Sequence, residues 1–153
     1  MATDIHVRII KFNRDKNIWE PIRLYQKDKS LVNVYHDRDY ELFDILKGNG
    51  EDTYYPFPIV INNLPDDLKK EIESRQDKCY YYNFQEVNLA DLKLYLYHYP
   101  KIRDYDYDEK SPKAYKDNPV KWFIEHIEYY INFACPWDFN PDSDIRILYW
   151  FDS

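Results

Sequence analysis

Glycine is nearly missing from this chain, which has Gly48 and Gly50 and no other in 153 residues. With so little glycine there is no GxGxxG and no GxxxxGK[ST] loop to cradle a phosphate, and no Gly/Ser-rich linker. Cysteine occurs twice, as Cys79 and Cys135. Two thiols in a chain this long make no disulfide scaffold and no CxxC pair, which points to a reducing compartment. Basic charge is also short: 21 Lys and Arg face 28 Asp and Glu, for a net charge of -7. A phosphate-backbone binder needs a basic surface to exchange for counterions, so the charge balance argues against nucleic acid as a partner. No apolar run reaches the ~20 residues of a membrane-spanning helix, and the start, Met1 to Asp4, is not a basic-then-apolar leader. The expectation is a cytoplasmic chain with no membrane partner.

Tyrosine is abundant, with 17 copies, and aromatic residues make up 19% of the chain. The length suits one domain, 1-153, and the pattern of elements predicts an α+β fold. The fold expected is a mostly antiparallel sheet with an N-terminal hairpin and a C-terminal strand, packed by three to four helices. Ile5, Val7 and Ile9 alternate on one side of a first strand, with Ile10 and Phe12 on the other. Polar Asn13 to Asn17 makes the turn into a second strand, which Pro21 demotes to an edge. Short strands are also expected at 31-35, 57-61 and 80-84. Ile145, Ile147, Tyr149 and Phe151 share one side of the last strand and Leu148 and Trp150 the other, so this strand should be central.

Helices announce themselves by their caps. Asp39 precedes an apolar stripe of Leu42, Phe43 and Leu46 that stops at Gly48. Pro65 opens a helix on which Leu64, Leu68 and Ile72 recur every fourth residue. Asn88 and Asp91 form a capping box, with Val87 placed to staple against Leu92, and Pro100 ends that helix. Asn118 and Pro119 open the last helix, whose apolar face is Val120, Phe123, Ile124, Ile127 and Ile131. Between these last two helices the charged, Tyr/Asp-rich stretch contains no predicted element. Its part from 103 to 117 is expected to be a mobile interaction excursion.

Catalytic and metal motifs are not found. The four histidines stand singly, without HExxH, paired H-x-[ST] or a compact Cys/His set. No catalytic residue, metal ligand or cofactor is therefore assigned. His36 to Asp39 is the densest polar cluster: Arg38 is placed to clamp an anion or to pair with carboxylates, while Asp39 caps the helix. The candidate interaction residues are Arg38, Arg103, Asp104, Tyr105, Asp106, Tyr107 and Asp108. In the second group, acidic side chains alternate with rings that carry both an apolar body and a hydroxyl.

Five segments in order along nearly the whole chain carry a resemblance. They are the opening strand with Trp19, then 38-46, 63-67, 87-92 and 144-152. Together they resemble a family of small uncharacterised proteins encoded by tailed phages and prophages. Asp37 stands where that family usually has glycine, and Tyr81 to Glu86 replaces a His-Ser stretch, so no site residue is carried over. The resemblance implies a phage origin and an accessory role in the host cytoplasm. Residues and resemblance together lead to the expectation of a noncatalytic accessory protein that binds a host protein, with counter-defence as a setting and a homodimer as one form. The alternative is sequestration of a nucleotide or other small anionic metabolite, using tyrosine rings and Arg38 or Arg103. A small hydrolase is the third reading.

Overall fold

The apolar alternation at the two ends of the chain brings those ends together. A computed structural model describes residues 3-22, 35, 37-48, 56-104, 115-134, 140 and 143-153, with the backbone alone at 133-134. β1 (Asp4–Asn13) and β7 (Ile145–Asp152) pair antiparallel from Asp4 opposite Asp152 to Lys11 opposite Ile145. β2 (Ile18–Pro21) closes the hairpin on the outer side of β1, and β4 (Tyr81–Val87) lies on the other side of β7. β3 (Phe57–Pro58) completes an antiparallel sheet of order β2-β1-β7-β4-β3. The central place expected for the last strand is the one it occupies.

Each face of that sheet has its own core. On one side Ile5, Val7, Ile9, Ile147, Tyr149 and Phe151 pack beneath α1 (Tyr40–Lys47), α3 (Leu89–His98) and α4 (Val120–Ala134). On the other, Ile10, Leu148 and Trp150 meet Leu64, Leu68 and Ile72 at α2 (Asp66–Gln76). Two helix layers around one sheet thus follow from strands that are apolar on both faces. No helix among the described residues is long and apolar enough to cross a membrane.

Three strand expectations need adjustment. The strand expected at 57-61 is two residues long, because Pro56 and Pro58 cannot donate to a ladder. The aromatic strand expected at 80-84 runs on to Val87, across a register shift at which Asn83 has φ 52°. An extra residue held at positive φ in this way bends a strand and lets pairing resume beyond it. Of the strand expected at 31-35, only Tyr35 falls within the described residues, and it belongs to no element.

Candidate functional site

Asn118 is the polar residue around which the outer helix layer is assembled. It is completely buried, and its Oδ1 accepts from the Val120 amide at 3.0 Å, so it caps α4 as its sequence position suggested. Its Nδ2 donates to the Tyr95 hydroxyl and to the Tyr99 carbonyl, each at 3.0 Å, which ties α4 to the end of α3. Its own amide donates to the Pro100 carbonyl at 3.0 Å. The stretch expected to lack elements therefore has paired ends: β5 (Lys101–Arg103) and β6 (Tyr115–Asp117) form a two-stranded ribbon. Alternating charge concealed it, because the ribbon is stabilised by cross-strand ion pairing of Lys101 with Asp117 rather than by apolar alternation.

Lys116 fastens that ribbon to α1. Its Nζ lies 2.7 Å from Glu41 Oε1 and 3.8 Å from Asp104 Oδ1. Beside it, a cavity of about 420 Å³ is lined by residues that include Arg38, Tyr40, Lys116 and Trp122. Arg38 lines this cavity but also grips Asp4, with Nε 2.6 Å from Oδ1 and Nη2 3.3 Å from Oδ2. This hydrogen-bonded pair lowers the Asp4 carboxyl pKa and raises that of the guanidinium. Asp39 accepts from the Leu42 amide at 3.1 Å and caps α1. Of the expected interaction residues, then, Asp104 lies near Lys116, and Arg38 shares a cavity lining with Lys116 while pairing with Asp4. Arg103 stands exposed on the ribbon, and Tyr105, Asp106, Tyr107 and Asp108 lie outside the described residues.

Sequence reasoning missed the outward face of the helix layer. Tyr97 is 80% exposed, Tyr129 73%, Tyr115 65% and Trp122 50%. Trp122 and Tyr129 lie two turns apart on one line of α4, while the inward residues Phe123, Ile127 and Tyr130 are buried. Between α3, α4 and the ribbon runs a groove of about 530 Å³, floored by Leu96 and Ile124 and edged by Lys93, Lys121, Glu125 and Glu128. Apolar residues off the buried stripe of each helix were the available signal: Leu94 and Tyr97 on α3, Trp122 and Tyr129 on α4.

A second polar group lies on the opposite face of the sheet. His6 Nε2 is 2.7 Å from Asp152 Oδ2, and the imidazole stacks on Trp150 with centroids 5.8 Å apart. Arg8 is buried, donates to Glu71 at 2.7 Å and lies 5.2 Å from the Trp150 ring centroid. Arg75 donates to the Tyr81 hydroxyl at 2.5 Å. A His/Asp pair is able to relay a proton, but this imidazole lies flat on a completely buried indole, and in this arrangement the pair joins the first strand to the last. Among the described residues, no group of three or more His, Cys, Asp or Glu is placed to hold a metal ion. Known protein families, curated proteins and solved structures give no match to this chain.

Proposed function

We propose that this chain is a noncatalytic phage accessory protein that binds a host protein through the outward face of α3, α4 and the ribbon, in the host cytoplasm, with counter-defence as its setting. The observation that carries this reading is the exposure of Tyr97, Tyr115, Trp122 and Tyr129 on one layer of the molecule. Exposed large rings cost solvation, and tyrosine and tryptophan are the residues most enriched where proteins bind proteins. The groove between Leu96 and Ile124 supplies an apolar floor, and its lysines and glutamates form a polar rim. Phage origin rests on the family resemblance of the sequence.

The cavity beside Arg38 motivates the second reading, sequestration of a small anion against Tyr40 and Trp122. Charge weighs against it. Two cations, Arg38 and Lys116, share the lining with Asp39, Glu41 and Asp117. Each cation already has a carboxylate within 2.7 Å, which offsets its charge and weakens its pull on an anion. The helix face is therefore the stronger candidate.

Affinity capture from bacterial lysate followed by mass spectrometry, with the parent and a Tyr97→Ala/Trp122→Ala/Tyr129→Ala variant, tests both readings. A host protein retained by the parent and lost by an equally stable variant is the expected result, and it is to be followed by binding kinetics with that purified partner. An anion retained by both proteins but lost on Arg38→Ala replaces protein binding with sequestration. Sedimentation velocity identifies a second copy of the chain as occupant if the parent dimerises and the variant does not.

A further inference from the structure

β2 has one paired edge and one open edge. The Ile22 amide donates to the Ile9 carbonyl, and the antiparallel register alternates from there. The backbone groups of Ile18 and Glu20 therefore face β1, and those of Trp19 and Pro21 face away from it. Among the described residues no strand lies beyond β2, and the Trp19 amide and the Trp19 and Pro21 carbonyls have no hydrogen-bond partner. A donor and acceptors in a row are what a further strand pairs with. Pro21 supplies no donor, which confines such pairing to a short segment centred on Trp19.

A cavity of about 600 Å³ opens along this edge, between 17-21 and the chain that enters α2 at 63-66. Successive side chains of a strand point to opposite faces, yet Ile18, Trp19, Glu20 and Pro21 all line the cavity, so it lies beside the strand and not beneath one face. Trp19 pairs with Phe12 and Pro21 with Ile10, which puts their side chains on the face that packs toward α2. Leu64 and Pro65 lie across the gap and make its wall apolar. A residue paired with Trp19 carries its own side chain on that same face. An open edge that gives main-chain hydrogen bonds and a pocket that takes one side chain are the two parts of recognition by strand addition. We propose that this cleft binds an extended segment of a partner protein, paired antiparallel with Trp19 like every other pair in the sheet, with a large apolar side chain against Trp19, Leu64 and Pro65. The site is on the α2 side of the sheet and does not depend on the helix-face reading.

The probe is a blocked peptide of threonines with a single phenylalanine at its centre, a composition that favours an extended chain. Titration calorimetry and proton–nitrogen correlation spectra of the full chain should show saturable binding that shifts Trp19. Hydrogen exchange should slow at the Trp19 amide on binding, while the Glu20 amide, which already faces β1, changes little. Alanine in place of the phenylalanine should weaken binding by about tenfold or more. N-methylation of the central amide, which faces the Trp19 carbonyl, should abolish binding, whereas N-methylation of the next amide, which faces away, should leave it nearly unchanged. Failure to saturate, equal binding of the alanine peptide, equal effects of the two methylations, or exchange at Trp19 that the peptide does not slow overturns the proposal. Protection of the Trp19 amide that appears without peptide and rises with protein concentration also overturns it, and assigns the edge to a second copy of the chain.

Discussion

Asp144 shows how much a single residue can hold together at a sheet end. Its carbonyl accepts from the Phe12 amide at 2.8 Å, and its carboxylate accepts from the Asn140 amide at 3.0 Å and lies 2.8 Å from Arg14. The Asn140 amide is the main reason its pKa lies below the ordinary 3.8, with burial opposing and Arg14 adding. Arg14 is mostly exposed, so solvent screens its share. A carboxyl whose pKa falls on folding stabilises the native state above its unfolded value, and that stability is lost as pH falls through the folded value. Asp144→Asn should therefore lower the urea midpoint near neutral pH, and the gap to the parent should close on acidification below 3.8. Midpoints measured from about pH 7 down to about pH 2.5 check this, and a gap independent of pH contradicts it. At this scale legibility depended on sequence distance. Asp39 as a cap could be read from its neighbours, whereas Arg38 with Asp4 and His6 with Asp152 are joined by the folded sheet and leave no local mark.

Elements were readable where their signals were local. In α3, Asn88 Oδ1 accepts from the Asp91 amide at 2.8 Å, its Nδ2 donates to Asp91 Oδ2 at 2.9 Å, and Val87 and Leu92 are buried in one core. That is the anticipated box, except that Asp91 answers the side chain of Asn88. Asn88→Ala should cost about 0.5 to 2 kcal/mol of stability. Denaturant unfolding of both proteins measures it, and an unchanged midpoint with an unchanged slope removes the cap from the account. The β5–β6 ribbon shows the opposite case. Its strands are three residues each, charged, and held at the base by Asn118, so neither length nor apolar period marked them. The exposed rings of α3 and α4 were hidden for a related reason: composition showed many tyrosines, but only packing sorted buried Tyr95 and Tyr130 from exposed Tyr97 and Tyr129.

On the scale of the whole molecule, the two cores share one strand. β7 sends Tyr149 and Phe151 toward α1, α3 and α4, and Leu148 and Trp150 toward α2. Its pairing with β1 also joins the two ends of the described chain, a long loop closure that must occur before either core is complete. Loss of packing on the α2 side should therefore be felt on the other side as well. Trp150 is completely buried, stacks with His6 and Phe84, and lies under the guanidinium of Arg8. Trp150→Ala should cost on the order of 3 to 5 kcal/mol. Among the described residues the buried indole Nε1 of Trp150 has no hydrogen-bond partner, so truncation breaks no hydrogen bond to them and the loss is one of packing. Because β7 belongs to both cores, helix content followed by circular dichroism and tertiary packing followed by the remaining tryptophans should fall in one coincident transition. A variant as stable as the parent would contradict the packing argument. Separate transitions for the two probes would show instead that the α2 side melts by itself, and that β7 does not couple the two cores.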